Sequence, residues 1–121
     1  MATIESTPFL SIQVDPSNQQ ATVVVVAQVT FGPNESPLIA RLDCRILGDD
    51  PVIDDHLFTF PTHFFFDQGA AQSARFERDD VSRRLLNEDI IGDDEIVGEL
   101  TLKLGANGTA IKKRTNVFHI Q

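Results

Sequence analysis

Ala21-Thr22-Val23-Val24-Val25-Val26-Ala27-Gln28-Val29-Thr30-Phe31 is the stretch on which the fold turns. Side chains alternate between the two faces of a β-strand, so Val23, Val25, Ala27, Val29 and Phe31 line one face. Val24 and Val26 add apolar character to the other, which predicts a strand that is central or covered. Gly32-Pro33-Asn34-Glu35 closes it with turn chemistry.

The same period runs outward in both directions. Leu10, Ile12 and Val14 alternate with polar residues before Asp15-Pro16-Ser17-Asn18. Across 37–47, Leu38, Ala40, Leu42, Cys44 and Ile46 turn inward, while Arg41, Asp43 and Arg45 turn outward. Further strands are expected around Leu57-Phe58-Thr59-Phe60, at Phe64-Phe65-Phe66 and, briefly, at Ala74 and Phe76. Asp79 or Asp80 is placed to cap a short helical turn over 83–86. Two closing strands, 96–104 and 109–120, flank Gly105-Ala106-Asn107-Gly108, and Ile96, Gly98, Leu100, Leu102 and Leu104 share the inner face of the first. These seven to eight strands, with turn signals between them and no crossover helix, predict an all-β, antiparallel two-sheet sandwich, immunoglobulin-like or C2-like. It occupies residues 1–121 as a single domain.

Composition narrows the function. The formal charge is −8 over 121 residues, which disfavours nucleic acid as a partner. The charge is uneven: residues 77–99 hold nine acids against three arginines, whereas Lys103, Lys112, Lys113 and Arg114 follow with no acid among them. Opposite-sign surfaces of this kind can fix the orientation of a docked partner; they are also what a solubilising surface looks like. Nine Phe with no Trp or Tyr argues against a sugar-binding platform, which uses aromatics with a polar end. A single cysteine, Cys44, allows no intramolecular disulfide and reads as a small core residue. Met1-Ala2-Thr3-Ile4-Glu5-Ser6 has neither the basic nor the apolar region of a secretory signal, and no run reaches transmembrane length, so a cytoplasmic location is expected.

No catalytic constellation is legible. His56, His63 and His119 pair with no cysteine at zinc spacing, and neither HExxH nor Gly-x-Ser-x-Gly occurs. A phosphate-binding Gly-rich loop is equally missing. A non-enzymatic binding or assembly module acting through protein–protein contacts, with self-association as one form, is the expectation. Phe64, Phe65 and Phe66 cannot all enter one core, because neighbours in a strand face opposite ways. Either a loop or the 83–86 turn covers the outward ring within the monomer, or they are candidate interface residues, with Phe65 as the anchor and Lys112, Lys113 and Arg114 facing acidic surfaces such as the 87–95 loop of another copy.

One local pattern points elsewhere. Asn87-Glu88-Asp89 is followed by Glu95 and then by Ile96-Val97-Gly98-Glu99, while Asp49 and Asp55 have five residues between them. This resembles the calcium-binding loops of the C2 domain, the calcium-dependent phospholipid-binding β-sandwich. Asn87 stands where that family has an acid, and Glu95 where it has Asp. The resemblance implies calcium as a cofactor, with Asp49, Asp55, Asn87, Asp89 and Glu95 as ligands, and docking to membrane lipids or a partner when calcium is bound. Calcium takes six to eight oxygens, which clustered carboxylates supply. An EF-hand is excluded, since Ile91 and Gly98 fall where oxygen ligands are required. The same loop also reads as a solvated Asp- and Gly-rich turn that discourages edge pairing.

Overall fold

Burial alternates along the central strand as its sequence requires: Val23, Val25, Ala27 and Val29 are inside, and the residues between them are not. The computed structural model describes residues 3–4, 7–15, 17, 20–31, 40–48, 55–65, 71–82, 94–104 and 110–120. They form ten strands: β1 (Thr3–Ile4), β2 (Phe9–Asp15), β3 (Gln20–Thr30), β4 (Ala40–Gly48), β5 (Asp55–Thr59), β6 (His63–Phe65), β7 (Ala71–Ser82), β8 (Asp94–Leu104), β9 (Ala110–Arg114) and β10 (Phe118–Ile120). Among the described residues there is no helix, so none is long and apolar enough to cross a membrane.

All pairing is antiparallel, in two sheets. In the first sheet β3 has β7 along one side, and β1 and β2 end to end along the other. In the second, β4 has β5 and β6 on one side and β8 on the other, with β9 and β10 beyond β8. Joined end to end, the short strands reduce the molecule to seven paths. The first, second and fifth build one sheet; the fourth, third, sixth and seventh build the other. That is an immunoglobulin-type Greek key with its fourth path beside the third.

Between the sheets lie Leu10, Ile12, Val23, Val25 and Val29 from one side and Leu42, Cys44, Ile46, Ile96, Leu100 and Leu102 from the other. The aromatic content is explained here. Phe31, Phe58, Phe60, Phe65 and Phe76 are buried, with ring centroids 5.5 Å apart for Phe31–Phe65, 5.2 Å for Phe58–Phe60 and 5.5 Å for Phe60–Phe76. Phe fills such space without a polar atom to satisfy, which Tyr and Trp cannot do. Arg78 covers the cluster's open flank, 4.8 Å above the Phe58 ring.

Two expectations need correction. The short strand at Ala74 and Phe76 is twelve residues long, and it contains Asp79 and Asp80. They sit in a bulge opposite Thr22, with Asp80 at φ 60°, rather than at a helix cap; residues 83–86 lie outside the described set. The closing strand over 109–120 is interrupted at Thr115–Val117, where three residues oppose Val97 and Gly98. The strand expected over 37–47 is described from Ala40, and residues 37–39 are outside the described set. The expectation of a central or covered strand over 21–31 is met by the first alternative: β3 is paired on both sides, and Val26 on its outer face is 39% exposed. β-branched residues are favoured on a pleated surface even where they meet water.

Candidate functional site: the outer face of the second sheet

The inward-facing residues of β4, β8 and β9 force their alternate neighbours outward, and Arg41, Arg45, Lys103, Lys112 and Arg114 are among them. Register sets them in rungs across the sheet. Phe64, Arg41, Lys103 and Ala110 form one rung; Asp43, Thr101 and Lys112 the next; Thr59, Arg45, Glu99 and Arg114 the third. A buried apolar rung, Leu47 beside Val97, bounds the charged area, and Glu95 beside His119 follows it.

Electrostatics within the face are partly internal. Arg45 donates from Nε at 2.9 Å and Nη2 at 2.6 Å to Glu99 Oε1, and Arg114 Nη2 lies 3.5 Å from Glu99 Oε2. Two guanidiniums thus cover a carboxylate whose side chain is only 10% exposed. Charge-assisted pairing of this kind is what permits a Glu to sit that deep. Arg41 Nε donates to Asp43 at 3.2 Å, and the Thr62 hydroxyl donates to the other oxygen of Asp43. Among the described residues Lys103 and Lys112 have no carboxylate partner. Five of the chain's ten Lys and Arg therefore share this face with Asp43 and Glu99, on a molecule whose total charge is −8.

The candidate interface residues separate by face. Phe65 is buried against Phe31 and His63, so it cannot be an external anchor. Phe64, its neighbour in β6, is the outward one, at 48% exposure, beside Arg41. Phe66 lies outside the described residues. Lys112 and Arg114 face outward together, whereas Lys113 points the other way and donates from Nζ to the Ile4 carbonyl at 3.2 Å. The period of two that splits the Phe pair also removes Lys113 from the basic face. Arg41 and Arg45 are members that the sequence alone did not assemble with Lys103, Lys112 and Arg114. The outward parity of Arg41 and Arg45 was legible in β4, but β8, which carries Lys103 and sets them beside Lys112 and Arg114, is distant from β4 in sequence.

Of the candidate calcium ligands, Asp49, Asn87 and Asp89 lie outside the described residues. The backbone of Asp55 opens β5 opposite Gly48, and Glu95 sits on β8 with its Oε1 3.8 Å from His119 Nδ1. Register brings the flanking residues together all the same. Gly48 pairs with both Asp55 and Ile96, and Asp94 pairs with Ile120, so Gly48, Asp55 and Asp94, the described residues that border 49–54 and 83–93, lie at one end of the second sheet. Among the described residues no three His, Cys, Asp or Glu side chains gather as a metal-ligand set.

No family model matches the chain, and no curated protein matches it. Among solved structures, a crystal structure of a Bordetella pertussis protein provisionally named ApaA is similar at 14% identity and a TM-score of 0.42, covering 99% of this chain and 92% of that one.

Proposed function

We propose that this chain is a non-catalytic β-sandwich module that works by protein–protein contact, receiving an acidic protein surface on the outer face of its second sheet. The observation that carries this reading is the concentration of Arg41, Arg45, Lys103, Lys112 and Arg114 on one face of an acidic molecule, with Phe64 exposed at its border. Such a face steers and orients a partner of opposite sign, and an exposed aromatic beside Arg supplies apolar area at the contact. The test is fluorescence anisotropy with a glutamate-rich peptide at about 150 mM salt. Binding that weakens about tenfold in the Arg41→Gln/Lys112→Gln double variant supports the reading. Equal affinity of variant and wild type removes it.

A second reading is calcium binding at the end of the second sheet marked by Gly48, Asp55 and Asp94, with Asp49, Asp55, Asn87, Asp89 and Glu95 as ligands and docking to lipids or a partner as the outcome. The convergence of Gly48, Asp55, Asp94 and Ile96 favours it. Ligand linkage then raises the melting temperature in millimolar calcium relative to EDTA, and an unchanged melting curve eliminates it.

A further inference from the structure

The first sheet presents the opposite sign to the second. Asp15 on β2 and Glu77 and Asp79 on β7 occupy outward positions, with Arg75 the cation among them, and the bulge at Asp80 adds a carboxylate at the same end. Asp15 accepts the Ser17 N–H at 2.9 Å and the Ser17 hydroxyl at 2.7 Å, which hold its carboxyl below the ordinary value of 3.8. Asp79 accepts from the Thr22 hydroxyl at 3.1 Å. A shallow cleft of about 280 Å³ opens between them, lined also by Gln13 and Gln20. Farther along the same face Phe9 and Val26 are register partners, and Phe9 is 61% exposed.

We infer that the partner is a second copy of this chain: the basic outer face of the second sheet of one molecule docks on the acidic outer face of the first sheet of the next. This rests on the reading of the basic face as a docking surface and goes further by naming its occupant. Charge complementarity selects it. The cations of Arg41, Arg45, Lys103, Lys112 and Arg114 meet Asp15, Glu77, Asp79 and Asp80, and each face brings one exposed Phe to the contact. Because the two faces differ, the contact is heterologous: a molecule that gives its basic face keeps an acidic face open, and a row grows instead of a closed pair.

Magnitudes fix what kind of contact this is. At ~4.8 Å between strands and ~3.3 Å per residue, the three strand paths of the smaller first sheet, at about nine residues each, cover roughly 430 Å². That is below the ~800 Å² per partner of a standard stable interface. The association is weak, reversible and salt-sensitive. Repulsion from the total charge of −8 is largely screened beyond the Debye length of ~8 Å at physiological salt, while charges brought face to face are screened far less.

Sedimentation velocity over a concentration series tests it. For the wild type, the average mass rises with concentration at about 150 mM salt and returns to monomer near 1 M, where the Debye length is ~3 Å. Two neutralising variants localise the contact, Arg41→Gln/Lys112→Gln on the basic face and Glu77→Gln/Asp79→Asn on the acidic face. Each alone stays monomeric, and an equimolar mixture forms one-to-one dimers and nothing larger, because each partner retains one competent face. A wild type that is monomeric throughout overturns the proposal without any variant being made. So does an acidic-face variant that assembles like wild type, or a wild type that binds oligothymidylate more tightly than it binds itself. Retained binding of the glutamate-rich peptide by a strictly monomeric wild type removes self-docking alone. Loss of both removes the docking face as well.

Discussion

The thiol of Cys44 lies wholly inside the sandwich, on β4 between Leu42 and Ile46. Desolvation penalises its thiolate and pushes its pKa from 9.0 up to about 12. In the unfolded chain the same thiol ionises near its ordinary value. The folded form therefore holds the extra proton between about pH 9 and 12, and the stability that Cys44 contributes is complete below pH 9 and lost as pH rises through that window. The slope attributable to one proton is about 1.4 kcal/mol per pH unit at most. Urea denaturation of wild type and Cys44→Ala across pH 8 to about 11 should show the two stability curves converging as pH rises. Iodoacetamide should label the native wild type only as fast as the chain unfolds. The residue's role was readable from parity alone, since Cys44 alternates with Leu42 and Ile46 in a strand whose odd members are charged. Phe64 and Phe65 obey the same rule, but parity states only that they differ; which of the two faces the core is set by pairing with Arg41 and Ala40 of β4.

At the scale of the strand, the junction between β9 and β10 shows how a ladder survives an extra residue. Thr115 donates its N–H to the Gly98 carbonyl at 2.9 Å, and its hydroxyl accepts the Gly98 N–H at 2.8 Å while donating to the Asn116 carbonyl at 2.8 Å. A side chain thus stands in for the backbone acceptor that the bulge takes out of register. The close approach requires glycine: a Cβ at Gly98 meets Thr115 Cγ2 at 3.0 Å and Ile46 Cδ1 at 3.6 Å. Gly98→Ala should cost about 1–3 kcal/mol through overpacking. Thr115→Ser, which removes Cγ2 and keeps the hydroxyl, should return most of that loss. A double-mutant cycle by chemical denaturation measures the coupling, and additive effects would contradict the contact. In the sequence, Gly98 inside an apolar strand was the available signal, because an interior glycine marks a bulge or a close backbone approach. Thr115-Asn116-Val117 gave none, and the segment reads as continuous strand. The length of β7 was obscured for a different reason: Glu77, Arg78, Asp79 and Asp80 imitate a cap or loop, although consecutive charges are also how an edge strand discourages stray pairing.

Across the whole molecule, the sheets are joined along one edge by side chains that bond to backbone. Asn116 Oδ1 accepts the Leu10 N–H at 2.7 Å, and its Nδ2 donates to the Leu10 carbonyl at 3.2 Å. One carboxamide thereby pairs the outer edge of β2 as a neighbouring strand residue would, and Lys113 does the same for the Ile4 carbonyl near β1. Asn116→Ala leaves both Leu10 groups without this partner, and a loss of about 1–3 kcal/mol is expected. The urea midpoint should fall with an unchanged slope, since the buried surface is otherwise retained. The two-layer architecture was legible in the sequence because period-two burial is a local property, visible in Leu10–Val14, in 21–31 and in 40–47. The basic face was not, because a face is a property of register: Arg41, Lys103 and Lys112 become neighbours only when β4, β8 and β9 align. The uneven distribution of charge along the chain was the trace it left.

The bond between Leu10 and Asn116 spans 106 positions, which has a consequence for biogenesis. A ribosome delivers Leu10 long before Asn116, so through most of translation the seam between the two layers has no closing residue. The contacts that complete the fold are among the most distant the chain makes, and topologies of that kind mature slowly. Emergence of the segment that carries Asn116, not of the first half of the sandwich, should set the moment at which β2 stops being an open template for other nascent strands.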